Sequence, residues 1–355
     1  MRKIIGGLAA WSLFLVGCGT SAPPTPAPRP RTFRMGFSAI PPRLDQSLVI
    51  AVIDLWSRRA DAAIVSLEPP WTELLSGVDP ATLVSQVQVP LAQYYRSKGH
   101  ELWVYLDPAN GLNRAAESDA LVSAGRSLTE PAVQRLFRRF AVEMDRQLHP
   151  EHMGLTLETN LIRGMSPPAL YAAVRQVAND AAADVRAGDP AVKLSVSVQV
   201  DYAWGEGSNG AFQGVATDFA DFPFIQELGL SSYPYLAGIK APEDVPLDYY
   251  SRLAEGRSVP VMVTEGGWTS ASLGTVTSSP DAQRRYVVRQ MQVLDRARAL
   301  AVFQLTFTDL DLAAITLPPG SILPLFAHLG LVDVGLQPKP ALAAWDDAFA
   351  RPRGN

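Results

Sequence analysis

The chain has 355 residues, a formal net charge of −4, 47% hydrophobic residues and a single cysteine. Charges of both signs are mixed and no Lys/Arg block stands out, which argues against a nucleic-acid partner. With Cys18 as the only thiol, neither an internal disulfide nor a thiolate metal site can form, so the fold must rely on its apolar core.

The first element is not part of that core. Arg2 and Lys3 precede a short apolar stretch, Ile4 to Val16, which ends in Leu15-Val16-Gly17-Cys18. A positive n-region followed by an apolar h-region reads as a secretory signal. The Cys after Leu-Val-Gly resembles the bacterial lipobox, which implies a Cys18 that is lipidated and becomes the mature N-terminus. Residues 1–17 are thus expected to be a lipoprotein signal peptide. Residues 18–32 are expected to be the lipidated Cys and a Pro-rich linker (GTSAPPTPAPRPR) too poor in apolar side chains to fold. Gly19 after the Cys, where Asp would favour the inner membrane, points to the outer membrane or cell surface. Export with a lipid anchor is the expected localisation, and the lipid is the only expected membrane contact.

Residues 33–351 alternate short apolar strands with helical stretches, the signature of a parallel α/β fold. Strands are predicted near Arg34–Ser38, Ala62–Leu67, Glu101–Leu106, Gly154–Thr159, Lys193–Val200, Gly229–Ser232, Pro260–Thr264 and Ala301–Thr306. Between them, Asp79-Pro80 starts a helix running to about Lys98, and Thr129-Glu-Pro131 opens Ala132–Leu148. Ser166-Pro-Pro opens Ala169–Ala187, which Gly188 should close, and Ser279-Pro280 opens Asp281–Ala299. Eight strand–helix repeats predict a single (β/α)8 TIM barrel. The open nucleotide-binding alternative is disfavoured because Met35-Gly-Phe-Ser-Ala-Ile-Pro-Pro42 carries no GxGxxG.

Chemistry in such barrels gathers at the C-terminal ends of the strands. In order, those ends read Glu68-Pro-Pro-Trp71, Asp107-Pro108, Leu157-Glu158-Thr-Asn160, Asp201-Tyr202-Ala-Trp204, Ser231-Ser-Tyr233-Pro-Tyr235, Thr264-Glu265-Gly-Gly-Trp268 and Gln304 to Asp309. Acids and aromatics dominate. The four histidines fall at helix ends or in loops and never pair at ligand spacing, so a His-rich metal hydrolase is disfavoured and no metal or organic cofactor is implied. Strict alternation along the fourth strand sends Leu155 and Leu157 toward the helices and Glu158 and Asn160 toward the mouth. Glu158 and Glu265, on strands expected to lie across the barrel from each other, could flank a sugar. A carboxyl separation of about 5 Å predicts retention of anomeric configuration and about 6.5–9.5 Å predicts inversion.

These residues resemble the clan A glycoside hydrolases, the "4/7" retaining barrels, and most nearly endo-β-1,4-galactanase-like proteins. The motifs are Gly36-Phe-Ser, Glu158, Tyr233, Val263-Thr-Glu265 and Gly330-Leu-Val-Asp with Pro338-Lys-Pro340 and Trp345. The resemblance implies Glu158 as general acid/base, Glu265 as nucleophile, and Tyr233 donating a hydrogen bond to that nucleophile. It also exposes a departure. The family's Asn before the acid/base is here Leu157, and the customary eighth-strand Trp is missing beside Gln304. Asn160 is the substitute to test for that Asn. Trp71, Asp107, Asp201, Trp204, Tyr235, Trp268 and Gln304 complete the expected carbohydrate-binding set. The function expected is a monomeric retaining β-glycosidase, endo-acting on a polysaccharide or surface glycan. The alternative is a catalytically impaired barrel that binds carbohydrate or protein at the cell surface.

Overall fold

A computed structural model describes residues 29–354 apart from Leu44, Gly207, Ser208, Pro318 and Pro319; Cys18 and the predicted signal peptide lie outside the described residues. Eight parallel strands close into one barrel in sequence order: β1 Arg34–Phe37, β2 Ala62–Leu67, β3 Glu101–Leu106, β4 His152–Gly154, β5 Lys193–Gln199, β6 Glu227–Ser232, β7 Val261–Gly266 and β8 Ala301–Gln304. Closure runs from β1 to β8 through a register that pairs Arg34 with Ala301 and Phe37 with Gln304. At the N-terminal end of the barrel, the Arg31 amide donates to the Pro352 carbonyl and the Gly354 amide to that of Arg31, both at 2.9 Å.

The outer helices follow their start signals. Pro131–Leu148, Pro168–Gly188 and Pro280–Ala297 each begin with a proline, and the Ser279 hydroxyl caps the last by accepting from the Ala282 amide at 3.1 Å. Gly188 does not close its helix as expected; it remains helical and Asp189 caps it. The Asp79-Pro80 signal opens a helical run to Ser97, but Val84–Gln88 widens into a π turn just ahead of Pro90. A ring without an N–H clashes with the carbonyl four residues back, and widening that turn relieves it.

Two apolar layers form. Outward-facing strand residues such as Phe37, Val104 and Val263, with Leu155 just after β4, pack on the helices, while Ile64, Trp103, Tyr105, Met262 and Phe303, with Leu157, fill the barrel. Tyr105 can occupy the lumen because its neighbours lack side chains. A Cβ on Gly154 would lie 2.1 Å from the Tyr105 ring, and one on Gly229 would lie 2.6 Å from its hydroxyl, which bonds the Ser195 hydroxyl at 2.7 Å. Gly154→Ala is therefore expected to lower stability by about 1–3 kcal/mol through overpacking, read as a lower urea midpoint at unchanged slope.

Two expectations are corrected here. The fourth strand stops at Gly154 instead of running to Thr159. From Leu155 the backbone leaves the extended form, and Glu158 takes the left-handed conformation at φ 47°. Alternation therefore fails, and Leu157 packs inside the barrel rather than on the helices. The second correction concerns His152, which is neither in a loop nor at a helix end but in β4. Its ring stacks on Trp103 and bridges Glu227 at 2.6 Å and Glu101 at 3.0 Å. Burial opposes a charge on this imidazole, but the two carboxylate hydrogen bonds outweigh it and raise its pKa.

Candidate active site

A cavity of about 940 Å³ opens at the C-terminal end of the barrel. Glu158, Glu265, Tyr233, Arg114 and Gln199 line its floor. The two glutamates do not face each other across a diameter, as the sequence suggested. On one side only β5 and β6 separate their strands, and the end of β6 joins them. There the Ser231 hydroxyl donates to Glu158 Oε1 at 2.5 Å, and it stands near enough to Glu265 to hold that carboxyl down against burial.

Arg114 holds the other side of Glu158. Its Nε donates to Glu158 Oε2 at 2.7 Å and its Nη1 to Asp107 Oδ2 at 2.5 Å, all three side chains being almost fully buried. Burial opposes the guanidinium charge, yet Asp107 and Glu158 outweigh it and raise its pKa. Burial also raises the Asp107 carboxyl against the pull of Arg114. The largest consequence falls on Glu265. Burial first, then the negative charge of Glu158, pushes its carboxyl up to about 7.

Tyr233 lines the cavity, but the hydrogen bond it was expected to donate to Glu265 is not formed. The Tyr233 phenol is pushed well above its usual value by burial and then by the charges of Glu265 and Glu158. Its backbone is fixed from below by Asp201, which accepts from the Tyr233 amide and from Gln199 Nε2, both at 2.8 Å, and from the Tyr249 hydroxyl. Asp201 is fully buried, and that burial raises its carboxyl to about 7. It supports the floor rather than lining the cavity.

The remaining predicted binding residues are elsewhere. Asn160 does not replace the missing Asn: it is buried and clamps the Gln199 backbone, donating to its carbonyl at 2.9 Å and accepting from its amide at 2.8 Å. Trp71 stacks on Phe137 in the outer core, and Trp268 is buried against Tyr286 with its indole N–H on Ser278. Trp204 donates to the Tyr249 carbonyl beneath Arg252. Tyr235 donates to the Leu325 carbonyl and Gln304 to that of Leu329. All six thus spend their polar groups or their rings on contacts within the barrel and its loops. Asp107 reaches the site only through Arg114.

Sequence reasoning missed Arg114 and Ser231. Arg114 lies eight residues beyond the end of β3 in a loop that carries no motif, and only the structure folds it over the floor. Ser231 stood within the quoted strand end but was passed over for Tyr233. Among the described residues no three His, Cys, Asp or Glu side chains form a group that could hold a metal ion.

No protein-family model matches the chain, and no curated protein matches it. Solved structures do. An exo-beta-1,4-mannosidase from Opitutaceae bacterium strain TAV5 superposes with a TM-score of 0.67 at 16% identity, covering 92% of this chain and 61% of its own. A beta-glucuronidase from an uncultured Clostridium sp. gives 0.60 at 16%, covering 90% and 50%. A GH5_18 protein from Bifidobacterium longum subsp. longum, in complex with Manb1-4GlcNAc, gives 0.59 at 15%, covering 91% and 80%. The chain thus spans half to four-fifths of the length of these structures. At such identities the likeness is one of fold: the (β/α)8 barrel they share.

Proposed function

We propose that this protein is a retaining β-glycosidase acting by double displacement. The observation that carries the reading is the pair of carboxylates on the floor of one open cavity, Glu158 after β4 and Glu265 at the end of β7, with the Ser231 hydroxyl bonded to the first. A pair of carboxyls on one cavity floor supplies the nucleophile and the acid that double displacement needs at one anomeric carbon. The barrel likeness to chains named for mannoside and glucuronide hydrolysis supports the same class.

Double displacement in the roles implied by the resemblance needs Glu265 ionised and Glu158 protonated, so the proton that Glu265 holds up to about pH 7 has to move to Glu158 before attack. Substrate entry draws Arg114 off Glu158 while Asp107 keeps hold of its other end. Glu265 then attacks the anomeric carbon as Glu158 protonates the departing oxygen. In the second half Glu158 takes a proton from water, which displaces Glu265.

The test is trapping with 2-fluoro glycosides across a sugar panel, followed by peptide mass analysis. Label on Glu265 is expected. Label on Glu158 reverses the roles, and no turnover or label with any sugar removes the hydrolase. A second reading, a surface lipoprotein that binds glycans or a protein, is favoured by one observation, the ion pair that ties Glu158 to Arg114. Endo-action and the galactanase-like specificity rest on the sequence motifs alone, and the largely apolar wall of the cavity, which offers few partners for further sugar units, speaks against them. Lipid anchoring at Cys18 belongs to this proposal and also rests on its sequence motif. Radiolabelled palmitate should enter the full chain and be lost in Cys18→Ser; equal labelling of both would refute the anchor.

A further inference from the structure

Arg43, Asn113, Tyr202 and Glu206 contribute polar groups to the loops around the cavity, but most of the wall above the floor is apolar: Ile40 after β1, Leu112 after β3, Met165 after β4, Leu236 after β6, and Ile322 and the single ring of Phe326 after β8. Four of these reach the rim as exposed large apolar side chains, at 36% for Ile40, 49% for Leu112, 57% for Met165 and 39% for Ile322. One exposed leucine on a surface needs no explanation. Four on four separate loops, all turned toward one cavity, do.

A wall for further sugar units would present flat aromatic faces and hydrogen-bonding groups for ring hydroxyls. Trp71, Trp204 and Trp268 are instead folded into the barrel shoulder. Branched and unbranched aliphatic side chains offer neither a stacking plane nor a partner for a hydroxyl, and they desolvate sugar at a cost. They are matched by methylenes. We infer that the ligand of this cavity is an amphipathic glycoside: a sugar at the Glu158–Glu265 floor whose aglycone is an aliphatic chain lying along the apolar wall. This rests on the glycosidase reading for the sugar end, and on the wall alone for the aliphatic end.

The volume accommodates both parts, since cavities of about 300–1,000 Å³ enclose a whole drug-sized ligand. Each methylene moved from water to such a wall is worth roughly 0.8 kcal/mol, or about a four-fold gain in affinity.

The experiment uses methyl, butyl and octyl β-glucosides, β-galactosides and β-mannosides, each below its micellar concentration. Turnover is read by kcat/KM, and binding separately by calorimetry. With the preferred sugar, kcat/KM should rise at least ten-fold from butyl to octyl. In Leu112→Glu and Met165→Glu, both exposed positions that leave the core intact, the octyl-to-methyl ratio should fall at least ten-fold. If octyl glycosides bind and methyl glycosides do not, with no turnover of either, the hydrolase reading fails and the aliphatic subsite stands. Equal turnover of methyl and octyl glycosides, or preference for free oligosaccharides, overturns the subsite and leaves the hydrolase. Sedimentation with phosphatidylcholine vesicles closes the remaining case. Rim-dependent vesicle binding without a chain-length effect makes the rim a membrane-contacting surface and overturns the proposal.

Discussion

Replacing Glu265 with Gln is expected to lower glycoside turnover at least 10⁴-fold while making the protein more stable at alkaline pH. The first effect follows from chemistry: an amide cannot form the glycosyl ester, and a loss of about 10⁴ corresponds to roughly 5.5 kcal/mol of barrier. The second follows from the raised carboxyl. Native Glu265 holds its proton up to about pH 7, whereas an unfolded glutamate releases it near 4.5. Between those values the native state binds more protons than the unfolded state, so parent stability falls as pH rises and then levels off. Gln has no such dependence. The stability difference, variant minus parent, should therefore grow across pH 4.5 to 7 by on the order of 2 kcal/mol, allowing for a side chain that keeps some hydration. Urea titrations at pH 4.5, 6 and 8 read this directly. A constant difference would show that Glu265 is not a destabilised acid, whatever happens to turnover.

The largest stability loss is expected at Arg114. Arg114→Met keeps most of the aliphatic stem but leaves Asp107 and Glu158 buried without their shared cation. Breaking one partner from a buried ion network costs about 3–5 kcal/mol, much of it the price of the stranded charges. Those charges can be neutralised by acid, so the deficit should be greatest at pH 8 and shrink toward pH 5 as the carboxyls take up protons. Arg114→Lys should recover part of the loss, because a point charge can satisfy one carboxylate but not the two-sided fork. A deficit under about 1 kcal/mol that ignores pH would mean the triad is not the structural keystone of the floor.

The barrel was legible because its signals are local and repeated. Prolines at helix starts and β-branched runs in strands each act within a few residues, and the strand bounds for Ala62–Leu67 and Glu101–Leu106 came out to the residue. Glu158, Glu265 and Tyr233 were legible because strand ends in a closed barrel converge on one face. What the sequence hid depends on loops. Alternation holds only while the backbone is extended, and after Gly154 it is not, so the destination of Leu157 was misread. Tryptophans after strands looked like sugar platforms, yet whether an indole faces a cavity or the shoulder is set by a loop's path, which no periodicity encodes. Arg114 was invisible for the same reason. Its role exists only after the loop beyond β3 is closed by Asn110, whose side-chain oxygen takes the Leu112 and Asn113 amides at 3.0 and 2.9 Å.

The left-handed backbone at Glu158 has a consequence for how this barrel is interrogated. His149 and Arg298 share that conformation, but they terminate helices, where a left-handed residue is the normal ending. Glu158 instead precedes a helix, so its conformation relieves no helical carbonyl, and a β-carbon there costs roughly 1 kcal/mol. Folding alone would favour glycine or asparagine at this position; recognition and proton transfer ask for a long carboxylate. The position is thus locally frustrated, with conformational preference and chemistry pulling in opposite directions. Shortening the side chain to glycine relaxes the main chain as it removes the acid, whereas glutamine retains the strain, so the two substitutions report on different things. The stability of the glycine variant measures how far this corner departs from its own best fold.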